Sequence, residues 1–270
     1  MSHAMKTSKK SPKKNLQELS KADLHIHALN DGKATPEQIV DWVHEHTDLA
    51  VIAVTDHDEV DSAYEARKIA KKKGYDFEVI IGEEVTAKEG HVLALFIKER
   101  VKPGMSAKET IAEIHRQGGL AIAAHPMFQT RLRNPKHDSM DGVGAVTLIK
   151  EKFDGVETVN ATPTFSAINL KAKYVNRGLL LKAETGSSDA HIKEAIGVGY
   201  TLFEGKTAAD LRRALEKRQT QAHIKKWHAS GLFKYIVFYV PTAIRNIVWG
   251  LRHGFSAKEP KIINVTKDFE

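Results

Sequence analysis

Histidines and carboxylates recur along this chain in short groups whose spacing would let them share metal ions. Asp23-Leu24-His25-Ile26-His27 sets two imidazoles at i and i+2. On a strand those positions share a face, so both rings can reach one ion. Thr55-Asp56-His57 ends a second apolar run, Gly82-Glu83-Glu84 a third, and His91 opens a fourth. LAIAA ends at His125-Pro126, and LLLKA leads into Ser187-Ser188-Asp189-Ala190-His191. Nitrogen and oxygen donors without sulfur suit Zn, Mn or Fe, whereas Mg alone would favour fewer histidines. Each group by itself is a weak pointer, because a lone histidine after a strand more often caps or packs. Their joint placement at successive strand ends argues for a site. A purely structural role would leave several imidazoles and carboxylates sharing a buried mouth without compensation.

The elements that would position these residues alternate between apolar runs and helix-like stretches. The runs lie near Asp23–Ile26, Leu49–Val54, Phe77–Val85, His91–Ile97, Leu120–Ala124, Gly155–Val159, Leu179–Ala183 and Val198–Phe203. Helical spacing is found over Thr35–His46, Glu59–Lys73, Ala107–Gln117, Phe165–Asn176 and Thr207–Arg218. Thr35-Pro36-Glu37, Ser106 with Glu109, and Thr207 with Asp210 are helix-start signals. Runs such as LAVIAV are apolar throughout, as fully buried parallel strands are. The alternation implies a parallel α/β sheet, and in a closed barrel the ligand-bearing strand ends converge on one face.

The motifs DLHIH, TDHD, GEE, the His of GHVLAL, AAHP and SSDAH resemble, in this order, those of PHP-domain proteins (polymerase and histidinol phosphatase). The likeness runs from about Asp23 to Arg218 and is nearest to the TrpH-type phosphoesterase branch, which includes nucleoside bisphosphate phosphatases and an exoribonuclease. It implies a distorted (β/α)7 barrel with extra C-terminal helices and two or three divalent metal ions. Carried over, His25, His27, Glu84 and Asp189 would hold a first metal. Glu84 would bridge to a second held by His91 and His125, and Asp31, His57 and His191 would hold a third. Glu84 rather than Glu83 fits the Gly-x-Glu spacing from Gly82, which leaves Glu83 as a solvated or paired reserve ligand. Asp31-Gly32 follows His27 by four residues where the family pattern has five, so Asp31 also reads as a turn residue.

The expected chemistry is hydrolysis of phosphate esters by a metal-bridging hydroxide, with His25, His27, Glu84, His125, Asp189 and His191 as the catalytic set. The substrate would be a small phosphorylated metabolite or nucleotide. An exonuclease acting on short oligonucleotides is the near alternative, and a non-catalytic metal-bound module binding nucleic acid or a protein is the distant one. Arg131, Arg133 and Lys136 follow the His125 strand and could grip a second phosphate, or form a solvated basic loop. Phe128 could stack on a base but reads more simply as packing. His44, His46 and His115 fall on helices and read as surface or packing residues.

The 270 residues, 41% of them apolar, suffice for one large core. The net charge of +7 is partly concentrated in the first fifteen residues and does not announce nucleic-acid binding. The absence of Cys excludes disulfides and thiolate metal sites and leaves the cytoplasm as the default compartment. Residues 1–20 read as a mobile basic tail without a secretion signal, 21–220 as the barrel, and 221–270 as a C-terminal helical extension. Within that extension, Gly231–Phe255 is dense in aromatics: Phe233, Tyr235, Phe238, Tyr239, Trp249 and Phe255. The expectation is two helices divided near Pro241, with most rings buried against the barrel or against a second copy in a homo-oligomer. Contact with a membrane surface is the least favoured reading.

Overall fold

A computed structural model describes residues 19–29, 31–129 and 142–253. The strands are β1 (Leu19–Ile26), β2 (Leu49–Val54), β3 (Glu78–Thr86), β4 (His91–Leu95), β5 (Leu120–Ala123), β6 (Gly155–Asn160), β7 (Ala183–Ser187), β8 (Gly199–Glu204) and β9 (Gln221–Ile224). The helices are α1 (Pro36–His46), α2 (Asp61–Lys73), α3 (Ala107–Arg116), α4 (Gly144–Lys150), α5 (Ser166–Val175), α6 (Ala208–Glu216) and α7 (Ala229–His253). The three expected helix starts are capping boxes: Thr35 with Gln38, Ser106 with Glu109, and Thr207 with Asp210. Each satisfies two backbone donors that the first turn leaves without partners.

The strands form one sheet in the order β7-β6-β5-β4-β3-β2-β1-β8-β9. A parallel bridge between Ile26 and Ala190 ties the end of β1 to the chain beyond β7, so the sheet curls into a nearly closed barrel. It is not seven uniform β/α units. β4 is antiparallel to β3 and β5, and β8 is antiparallel to β1 and β9. Only four residues separate β3 from β4, which allows a hairpin but no helical crossover. β1 begins at Leu19, and the sheet continues to Ile224, past the expected end of the barrel. The run Leu179–Ala183 is not a strand. Asn176–Leu180 forms a π turn with Leu179 and Leu181 exposed, and β7 starts only at Ala183.

Two apolar layers follow from strand alternation. Ile52, Val54, Val79, Ile81, Val92 and Ala94 face the buried residues of α1, α2 and α3. Val51, Ala53, Ile80, Leu93, Leu95 and Ile122 meet Phe203 and the α6 residues Leu211 and Leu215. α6 closes the end where the parallel strands begin, since Ala208 N–H donates to Glu78 and Arg212 to the Gly118 carbonyl. The opposite end is left for the site. On β1, Ala22 and Leu24 join the second layer while Ile26 joins the first. The switch coincides with a register shift against β2 between Asp23 and Ile26. A bulge of this kind re-aims side chains, and here it turns His25 and His27 toward Glu84.

Alternation also separates the two adjacent glutamates of β3. Glu83 is not solvated. It is buried, and its Oε2 accepts from Val101 N–H at 2.7 Å. Burial pushes its carboxyl up from 4.5 to about 8, against the lowering effect of that bond. Between these values the folded chain holds a proton that the unfolded chain has lost, so this group makes stability fall as pH rises through that window. Glu83→Gln keeps a carbonyl for Val101 and is expected to flatten the decline, by at most about 1.4 kcal/mol per pH unit. Denaturant unfolding of both proteins from pH 5 to 9 measures it; parallel profiles would refute the assignment.

Candidate metal centre

Glu84 lies fully buried at the open end of the barrel with five imidazoles around its two oxygens. Oε2 is 3.0 Å from His25 Nε2 and 3.3 Å from His27 Nε2 and His57 Nε2. Oε1 is 3.0 Å from His91 Nδ1 and from His125 Nε2. Asp189 sits beside the first group, with Oδ1 3.2 Å from His27 Nε2, 3.6 Å from His25 Nε2 and 3.5 Å from His191 Nδ1. Asp31 Oδ2 accepts from His57 N–H at 2.8 Å and lies 4.0 Å from His27 Nδ1. All nine ligand-type residues singled out in the sequence thus come together. They form triplets whose donor atoms lie within 4.8 Å of one another: His25-His27-Glu84, His25-His125-Asp189, His27-Asp31-His57, His27-Asp189-His191 and His57-Glu84-His91.

The shortened loop still delivers Asp31. Gly32 N–H donates to the Ala28 carbonyl at 2.5 Å, closing a tight turn. A Cβ on Gly32 would stand 2.6 Å from the His27 oxygen, so this closure needs glycine. His125 and Asp189 adopt φ of 26° and 53°, left-handed backbone that costs non-glycine residues about 1–3 kcal/mol and recurs at functional sites. Glu157 and Asn160, on β6, hold both. Glu157 Oε2 accepts from His125 N–H at 2.7 Å, and its Oε1 lies 3.2 Å from His25 Nδ1. Asn160 Nδ2 donates to Glu157 at 3.1 Å and to Asp189 at 3.0 Å. Asp23 takes the Ser188 and Gly197 N–H groups, and Asp56 that of Ala28. Burial raises both of these carboxyls to about 6. Asp23 and Asp56 stood in the sequence motifs without an assigned role, and Glu157 and Asn160 did not stand out, yet a glutamate and an asparagine inside the buried run GVETVN are themselves a signal.

The carboxylates and imidazoles of the site shift one another's protonation in opposite directions. Burial pushes the Glu84 carboxyl up, but the surrounding imidazoles, His25 foremost, and the bond to His125 outweigh it and hold it well below its usual range. Burial pulls His27 down, but the Asp189 and Glu84 carboxylates close to its Nε2 win and raise it to about 10. Burial, with the His27 charge, takes His191 down to about 4. Both ring nitrogens of buried His27 lack a hydrogen bond of good geometry. Unsatisfied imidazole nitrogens facing carboxylate oxygens are the donor set that borderline divalent ions take, so the residues fit such ions.

Other sequence candidates fall elsewhere. Arg131, Arg133 and Lys136 lie outside the described residues. His44 and His46 stack on Tyr75 and Trp42 at the surface, and His115 pairs with Asp154 at 2.8 Å. Phe128 packs on Phe165 with ring centroids 4.4 Å apart, and both stand edge-on to His125. α7 runs past the mouth: Tyr235 is buried, and Phe238 lies 6.0 Å from the His191 ring.

Residues 178–220 match the PHP-associated family. The uncharacterized protein MJ1587 of Methanocaldococcus jannaschii is 39% identical over 117 residues, covering 39% of this chain and 67% of that protein. Among solved structures, a two-domain protein of Bacteroides vulgatus containing a predicted PHP-like metal-dependent phosphoesterase superposes with a TM-score of 0.59. It shares 20% identity, over 83% of this chain and 70% of its own. A Bifidobacterium adolescentis protein described as a metal-dependent phosphoesterase gives 0.53 at 17% identity, over 73% and 96%. At these identities the two structures establish a common fold.

Glu84→Gln is expected to weaken divalent-metal binding by at least about 10–100-fold, while the adjacent Glu83→Gln leaves it unchanged. Elemental analysis after dialysis against graded metal concentrations separates the two. Equal losses, or none, would remove Glu84 from the centre.

Proposed function

We propose that the chain, residues 178–220 of which match the PHP-associated family, is a metal-dependent hydrolase of phosphate esters acting on a small phosphorylated metabolite, foremost a nucleotide. The observation that carries this reading is the division of the Glu84 oxygens between two sets of imidazoles, His25, His27 and His57 on one and His91 and His125 on the other. A carboxylate so placed is suited to bridging two ions. In this assignment His25, His27, Glu84 and Asp189 hold one ion, Glu84, His91 and His125 a second, and Asp31, His57 and His191 a third. Such ions, when bound, lower the pKa of water and neutralise phosphoryl oxygens.

The chain's own groups do the rest. Asp189 is fixed by Asn160 and backs His27, so the ligand geometry is set before substrate arrives. His191 is partly exposed at the mouth with its Nδ1 turned to the Asp189 carbonyl, which leaves Nε2 as the atom it would offer an ion. Phe128, half-buried and tilted at 38° on the buried Phe165, gives an aromatic wall beside His125. That wall supports a planar group such as a nucleobase on the substrate, and so supports a nucleotide over an aliphatic phosphate. The same wall suits the end of a short oligonucleotide, the second reading.

Metal-stripped protein reloaded with Mn, Zn, Fe or Mg, screened for phosphate release from mononucleotides, 3′,5′-bisphosphates, histidinol phosphate and short oligonucleotides, tests the proposal. Turnover should return with Mn, Zn or Fe and vanish with chelator. Asp189→Asn, which tolerates the left-handed backbone, should cut kcat by roughly 100-fold with the fold intact. Unchanged turnover in metal-free protein, or no release from any ester, would refute hydrolysis at this centre.

A further inference from the structure

The C-terminal segment departs from expectation. α7 is one helix that runs through Pro241 rather than two divided there. Pro241 lies on an exposed face, where water can take over the carbonyl its missing N–H leaves unpaired. Among the described residues, the barrel does not bury most of the rings. Tyr235 is buried and Phe238 half-buried, but Phe233 and Tyr239 are exposed. Phe255 lies outside the described residues, as does the side chain of Trp249.

The outer face has an order of its own. Phe233, Val237, Val240, Ile244, Ile247 and Leu251 follow a 4-3-4-3-4 spacing, which lines up on one side of a helix. Phe233 is 67% exposed, Val237 57%, Ile244 56% and Leu251 71%. Val240 is also exposed, and the exposed Ile236 and Val248 widen the stripe. The charged positions on α7 are Lys234, Arg245 and Arg252, with no Asp or Glu. At spacings of 11 and 18 residues these fall within about 20° of one another, along one flank of the stripe. Lys234 pairs with Glu194 yet keeps more than half of its side chain in solvent.

We propose that α7 docks lengthwise on an anionic phospholipid surface, with the apolar stripe in the acyl boundary and the basic flank among the headgroups. Charge decides the occupant. A second copy would set two stripes flanked only by cations side by side, with no carboxylate on either helix to pair them. An anionic lipid surface complements that flank. Among the described residues no helix is long and apolar enough to cross a membrane, so α7 lies on the surface. The inner side of α7 meets the barrel through Tyr235 and Phe238, so docking would hold the mouth of the metal centre beside the headgroups.

The full chain is mixed with vesicles of phosphatidylcholine alone or with about 30% phosphatidylglycerol, and the bound fraction is read by co-sedimentation. Binding should be at least about 10-fold stronger to the anionic vesicles and should weaken as salt rises from ~0.1 to ~0.5 M. Val237→Asp with Ile244→Asp, both at exposed positions, should reduce it to the neutral-vesicle level while unfolding temperature and metal content stay unchanged. Equal binding to both vesicles overturns the proposal. So does binding that survives the double substitution, which would assign the attraction to the basic start of the chain. A dimer in sedimentation velocity that the double substitution splits, without vesicle binding, would give the stripe to a second copy.

Discussion

A single buried carboxylate, Glu84, sets the terms for the open end of this barrel. Five imidazoles stand within 3.0–3.3 Å of its two oxygens, and burial makes every net charge there costly. The histidines respond in opposite directions. The carboxylates outweigh burial at His25, His27 and His125 and raise them, whereas burial wins at His57 and His191 and lowers them. A group of imidazoles that can hold only some of its protons is poised to exchange them for divalent ions. The strand order follows from the same need. β3 sits at the middle of the sheet, with β2 and β1 on one side and β4 and β5 on the other. Ligands therefore reach Glu84 from both sides. His91 comes from the start of its strand because β4 is antiparallel, which brings its first residue level with the end of β3.

The residues behind the ligands carry the local cost. His125 and Asp189 keep left-handed backbone because groups on β6 hold them from behind. Glu157 joins two ligands at once, touching the His25 ring and the His125 backbone. Such partners fix the orientation of an imidazole and raise its basicity as a ligand. Asp23 does the same for the SSDAH segment, pinning Ser188 and Gly197 from β1.

What the sequence made legible was local. Capping boxes act within four residues, and a ligand at the end of an apolar run is visible without knowing which strands pair. Pairing itself was not legible. The hairpin between β3 and β4, the reversed β8 and the short β9 depend on contacts distant in the chain. The run LLLKA looked like a strand because apolar character alone cannot distinguish an exposed turn from a buried one. The strand that does form, AETGS, is polar because its small residues pack beneath the site: Thr185 and Ser187 are fully buried. Glu157 and Asn160 were not legible as partners because β6 carries no histidine and their contacts with His125, His25 and Asp189 are distant in the chain.

The C-terminal helix shows the same limit from another side. Aromatic density says that a segment avoids water; it does not say what replaces the water. On α7 the answer differs between faces. Tyr235 and Phe238 point to the barrel, where His191 and Trp227 supply partners. The stripe from Phe233 to Leu251 points away from it, and Phe233, Val237, Ile244 and Leu251 stay exposed. A helix anchored by one side near its N-terminal end, with a continuous apolar seam on the other, has its stability and its partner decided separately. The first rests on a few buried rings, and the second on the sign of the charges beside the seam.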